Sequence, residues 1–196
     1  MFGLDELQEV LPPPAAPRVT MAHDRWLEVF RQFGTRLPGD FVEFHQRYGE
    51  GFFYSRTHRR TAGLHLWNAF NERFSFQHQV PQRLSELRHL KEQRPKSVPL
   101  PLYWDTGGLL PWGITTNDTD LCWVVRGSLV DDWPVAALRT RSRQVELFEC
   151  SAIQFLARLL KGAITCRLMP EHFPGTRGAG YEVWKHGPSP DSKSMA

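Results

Sequence analysis

The sequence predicts an α+β fold, a single domain in which a twisted, mainly antiparallel sheet carries helices packed on it. Three observations carry that prediction. Amphipathic helical stretches fill the first half of the chain, four short β-favouring runs separated by turn residues follow, and a well-capped helix comes after them. A length of 196 residues suits one core rather than two. A hydrophobic share of 41% is enough for a chain of this size to bury roughly 70% of its unfolded surface, with no disulfide or metal needed to hold it.

Taken in order, Leu4 to Leu11 has the pattern of a short helix, cut by Pro12-Pro13-Pro14, whose rings remove backbone donors and enforce an extended linker. From Asp24, Trp26, Phe30 and Phe33 fall on one helical face, and Gly34 stands in the stop position. A second amphipathic helix opens at Pro38, whose fixed φ suits a first turn. It carries Phe41, Phe44 and Tyr48 before Gly49 and Gly51 end it. Leu64 to Trp67 has strand character, whereas Asn68 to Gln79 is polar with scattered aromatics and reads as loop or irregular helix. After Pro81, Leu84, Leu87 and Leu90 resume helical spacing with a basic wet face, and Pro95 closes the segment.

Leu109 to Ile114, Leu121 to Val125, Val135 to Leu138 and Val145 to Phe148 then read as a four-stranded meander. Thr116-Asn117-Asp118 and Arg141-Ser142-Arg143 supply hairpin connections, and Asp131-Asp132-Trp133-Pro134 a longer turn. Pro111 belongs on an edge strand or at a bulge, because it cannot donate to a ladder. Ser151-Ala152-Ile153-Gln154 is a capping box, followed by the stripe Ile153, Leu156 and Leu160 and by Gly162 as terminator. The expected organisation is an N-terminal appendage and Pro-rich linker over residues 1–19, the domain over 20–174, and a flexible Gly/Ser/Pro tail over 175–196.

Charge and composition narrow the function. Twenty-four Lys and Arg face 21 Asp and Glu for a net charge of +3, partly segregated into basic runs and acidic turns. Phosphate attraction alone permits weak nucleic-acid association, but scattered arginines do not make a footprint, so nucleic acid is not the expected partner. No apolar run is long enough to span a membrane, and the first ten residues hold three acidic side chains where a secretory signal needs a basic and then an apolar stretch. The expectation is a cytoplasmic chain with no membrane contact. Cys122, Cys150 and Cys166 are odd in number and far apart, which fits reduced thiols.

Motifs for chemistry are scarce. Neither a Cys-x-x-Cys, a His-Glu-x-x-His nor a His pair at i, i+4 occurs, so no metal and no cofactor is expected. No Gly-x-Ser-x-Gly elbow is present, and Gly175-Thr176-Arg177-Gly178-Ala179-Gly180 has the wrong glycine order for a dinucleotide loop and reads as tail linker. The pairs Asp118 with Asp120 and Asp131 with Asp132 match no cation loop and read as backbone caps in turns. Phe52, Phe53 and Tyr54 before Arg56, Arg59 and Arg60 offer stacking and phosphate contact, against the plainer reading of a solvated loop after a buried aromatic anchor. Tryptophans at 104, 112, 123 and 133 suit a sheet core, and any that is exposed suits a protein interface.

One ordered set of motifs goes further. Leu37-Pro38-Gly39-Asp40-Phe41-Val42-Glu43-Phe44, then Tyr48-Gly49-Glu50-Gly51, Gly107-Gly108-Leu109-Leu110-Pro111-Trp112-Gly113, Asp120-Leu121-Cys122-Trp123 and the segment Ser151 to Leu160 with Phe155 and Leu156 together resemble the SUKH superfamily. That group includes the fungal Smi/Knr cell-wall regulator and many bacterial toxin-immunity proteins. The resemblance spans Trp26 to Phe173 and supplies scaffold positions, with no catalytic residues to carry over. It implies an α+β sheet with packed helices and a function of binding: bacterial members neutralise a cognate secreted toxin, and fungal members act as interaction hubs.

The expected function is therefore non-enzymatic, an immunity protein that neutralises a cognate polymorphic toxin by direct binding, with a regulatory or scaffold module of the Smi/Knr type as the alternative. An enzyme or a nucleic-acid binder stands behind both. The net positive charge departs from what an inhibitor of a basic nuclease cleft needs, so an acidic local patch is required or the target is of another kind. The acidic turns with their tryptophans, namely Trp104, Asp105, Asp118, Asp120, Asp131, Asp132 and Trp133, are the expected binding residues, because aromatic anchors ringed by carboxylates suit a basic partner.

Overall fold

The spacing of large apolar side chains sets where each helix meets the core. In α2 (His23–Phe33), Trp26, Val29 and Phe33 are buried, and in α3 (Gly39–Tyr48) Phe41, Phe44 and Tyr48 are fully buried at helical spacing. The computed structural model describes residues 2–15, 17, 23–69 and 75–184. Besides those two helices it contains α1 (Phe2–Val10), β1 (Gly51–Ser55), β2 (Gly63–Leu66), α4 (Phe76–Gln93), β3 (Gly108–Thr115), β4 (Asp120–Val125), β5 (Val135–Arg139), β6 (Gln144–Phe148), α5 (Ala152–Lys161) and β7 (Ala179–Val183), in that chain order around α2 and α3. The strands form one sheet in the order β6-β5-β4-β3-β2-β1-β7, with every ladder antiparallel. This is an α+β domain with a multi-stranded antiparallel sheet flanked by helices, and the four-strand meander sits within a residue or two of the segments read from sequence.

An aromatic seam joins helices to sheet. Phe41 meets Trp123 edge-on at 4.9 Å between ring centroids, Trp123 lies 6.1 Å from Trp112 and 6.3 Å from Trp133, and Phe148 lies 4.8 Å from Phe155 on α5. Of the motif positions behind the family resemblance, Trp26, Leu37, Leu110, Trp112, Trp123, Phe155 and Leu156 are core, and Pro38 sits at the N-cap of α3. The capping box is present in full: Ser151 Oγ accepts the Gln154 N–H, and Gln154 reaches back to the Ser151 N–H. At the start of β3, Gly107 adopts φ +74°, and a Cβ on Gly108 would come within 2.5–2.6 Å of the Leu102 and Asp105 backbone.

Several expectations need correction. Residues 2–11, expected as part of an appendage over 1–19, belong to the core instead, because α1 packs along α5 with Leu4 and Leu7 buried, and the Tyr48 hydroxyl donates to the Leu11 carbonyl at 2.5 Å. The chain after 174 is not all tail either. β7 pairs with β1 as an edge strand, Tyr181 donates through its hydroxyl to the Gly49 carbonyl at 2.9 Å, and its ring packs on Phe53 at 5.0 Å. Two of the glycines read as linker have a packing role: a Cβ on Gly180 would run into the Tyr54 ring that crosses it, and one on Gly175 into the Ser55 side chain; across the pairing, a Cβ on Gly51 would meet Tyr181. The domain thus reaches back to Phe2 and forward to Trp184, and the remainder of the predicted tail, 185–196, lies outside the described residues.

Gly51 opens strand β1 and does not end α3, which stops at Gly49, and the basic run Arg56, Arg59 and Arg60 that follows the buried Phe53 is an exposed loop. α4 opens at Phe76, under a Ser75 cap, and runs through Pro81 instead of beginning after it. Pro81 cannot donate to the Gln77 carbonyl, and the Gln32 side chain of α2 does so instead at 2.9 Å. Gly107 and Gly108 lead into β3, which is central and not an edge. Pro111 is accommodated by the register shift between Pro111 and Gly113, the bulge that the sequence allowed.

Candidate docking face

Trp104 and Leu129 are the two most exposed large apolar side chains among the described residues, at 61% and 67%. Both project from fixed backbone. The segment before β3 is pinned because the Tyr103 hydroxyl donates to the Phe33 carbonyl at 2.6 Å, the Tyr103 carbonyl accepts from Arg88 on α4, and the Asp105 carbonyl accepts the Gly108 N–H at 2.9 Å. Trp104 then lies against Tyr103 at 4.5 Å and passes over Gly34, in a groove of about 500 Å³ bounded by Arg88, Lys91, Pro95 and Asp105. The Lys91 ammonium donates to the Leu100 carbonyl at 2.5 Å, which holds the other wall.

Leu129 sits on the β4–β5 connection, at the mouth of the 3-10 turn Val130–Asp132. The turn is anchored across the chain, since Asp131 Oδ1 accepts the Gly39 N–H at 2.6 Å. Thr35, Arg36 and Leu129 share one hollow with Asp131 and Asp132, and those two aspartates line the next with Asp40, Glu43 and Ser151. Three helix N-termini meet at that second hollow: Gly3 of α1, Gly39 of α3 and the Ser151 cap of α5. Carboxylates there complement the positive helix ends. Ser151 Oγ donates to Asp40 Oδ2, and burial nonetheless pushes the Asp40 carboxyl up, against the opposing effect of that bond.

The expected binding residues divide. Trp104, Asp105, Asp131 and Asp132 are exposed on this face. Asp118 is exposed too, but it lies in the β3–β4 turn, at the far end of the strands from Asp131, and pairs with Arg141 at 2.9 Å. Asp120 and Trp133 are not surface residues. Asp120 is fully buried and takes two 2.7 Å bonds from Arg83 of α4, and Trp133 is 2% exposed against Trp123. Burial works against the Arg83 charge, yet the bonds and charge of Asp120 outweigh it and hold the guanidinium above its ordinary value. Sequence reading missed Leu129, Asp40 and Glu43. Leu129 carried a signal, an apolar side chain between Gly127-Ser128 and Asp131-Asp132.

Burial sets the state of the core's ionisable groups. His45, fully buried among Trp26, Phe41 and Phe44, is pushed down to about 3 by burial and stays neutral. Burial raises all three thiols, Cys166 to about 11, so none is an activated thiolate. Among the described residues no three His, Cys, Asp or Glu side chains come together to hold a metal ion, and no helix is long and apolar enough to cross a membrane. No protein-family model, no curated protein and no solved structure gives a significant match to the chain.

Proposed function

We propose that this chain is a protein-binding domain of the SUKH type, and that it acts as an immunity protein that neutralises a cognate toxin by stoichiometric binding. One observation carries the reading: Trp104 and Leu129 stand exposed on pinned backbone along a face edged by Asp105, Asp132 and Glu43. Holding a tryptophan and a leucine in water has no folding benefit, whereas both become favourable when a partner desolvates them. Asp105, Asp131, Asp132 and Glu43 alternate here with Arg36, Arg88 and Lys91, so the face offers both signs to a partner and the apolar anchors carry the reading.

The test is co-expression with a toxin domain encoded beside this chain. Rescue of growth through an isolable complex, burying roughly 800 Å² on each partner, supports the reading. Failure to rescue, with recovery of a resident cellular protein instead, favours the regulatory-module alternative.

A further inference from the structure

We infer that the outer face of the β1–β2–β7 corner is a binding site for single-stranded nucleic acid, separate from the docking face. Strand alternation creates it. Phe53 and Leu64 are fully buried, so their neighbours Phe52, Tyr54 and His65 lie on the opposite side, each only half-buried. Phe52 touches three rings, at 5.7 Å to Tyr54, 5.5 Å to His65 and 5.2 Å to Trp184, and β7 holds Trp184 there through its N–H to the Glu50 carbonyl at 2.9 Å. The result is a patch of adjacent aromatic surfaces on a rigid sheet.

The charge over the patch is positive. The β1–β2 connection bears Arg56, Arg59 and Arg60 and folds over the same side, since the Arg59 guanidinium stands 4.7 Å above the Tyr54 ring. Arg177 is brought alongside by the bond from the Arg56 N–H to the Gly178 carbonyl at 3.0 Å. Glu182 pairs with Arg59, the nearby Glu50 is buried, and Arg60 and Arg177 have no ion pair among the described residues. Half-open rings beside unpaired guanidinium groups are the combination that stacks bases and contacts phosphates together; an acidic protein would need only the second. The corner lies at the end of the sheet away from Trp104 and Leu129, so both faces can act independently.

The experiment is fluorescence anisotropy of the full chain with labelled oligo-dT and oligo-U of about twelve nucleotides, across a salt series. Binding should weaken steeply with salt, fall about 5-fold or more in Phe52→Ala, fall with a shallower salt slope in Arg60→Glu, and be unchanged in Trp104→Ala. Arg60 is on an exposed loop, so its variant remains informative if Phe52→Ala is poorly folded. Absence of salt-dependent binding, unaltered binding in Arg60→Glu, or equal competition by polyglutamate would overturn the inference.

Discussion

Asp131 caps a helix to which it does not belong. Its Oδ1 accepts the Gly39 N–H at 2.6 Å, across 92 positions of sequence, where the α3 N-cap residue Pro38 has no side-chain acceptor to offer. The same turn carries Leu129, so the capping bond and the candidate docking face are mechanically one object.

Asp131→Ala should therefore cost about 1 kcal/mol of stability, the usual worth of an N-cap, and should also weaken partner binding by loosening the Leu129 turn. Asp131→Asn retains an acceptor and should keep most of both. Denaturant titration together with an affinity measurement separates this from a pure interface role, in which stability would not change.

The Arg83–Asp120 pair gives a second expectation. Asp120→Ala leaves a largely buried guanidinium with Glu86 as its remaining partner and should destabilise by about 1.5–3 kcal/mol. Replacing both at once, Arg83→Met with Asp120→Leu, should recover much of that loss in thermal denaturation. Equal damage from the double variant would mean that the pair is not what holds α4 to β4.

Buried ionisable groups set opposing pH trends. The His45 pKa is pushed below its ordinary 6.5 to about 3, so the unfolded chain binds the proton first, and the stability from keeping His45 neutral, present above 6.5, is lost as pH falls toward 3. The Asp40 pKa is raised above 3.8, so the folded chain binds that proton first, and its contribution is present below 3.8 and lost as pH rises through the raised value. Denaturation midpoints measured against pH should lose their acid-side slope in His45→Leu and steepen it in Asp40→Asn.

Removing residues 1–11 should cost about 4 kcal/mol or more, because Leu4, Leu7 and Leu11 leave the core and α5 is uncovered. A truncated chain with an unchanged thermal midpoint would restore the appendage reading.

What the sequence revealed follows the range of its interactions. Helical periodicity around Trp26 and Phe41, the meander and the Ser151 cap are local, and they were legible at their true positions. The strand β7 was not, since its glycines make sense only opposite the rings of β1. The true start of α4 is hidden in the sequence because Pro81 has the look of a first-turn proline, and only the Gln32 side chain, far away in the chain, satisfies the carbonyl that it leaves open. The candidate face was half legible: Trp104, Asp105, Asp131 and Asp132 lie on it, whereas Asp120 and Trp133 are core, and exposure of an aspartate or tryptophan depends on partners far away in the chain.

The most direct measurement is the affinity of the purified chain for any toxin domain found encoded beside it, wild type against Trp104→Ala with Leu129→Ser. The account expects at least a 30-fold loss, about 2 kcal/mol, with an unchanged thermal midpoint. Identical affinity in the variant, or no complex with any such domain, would contradict it.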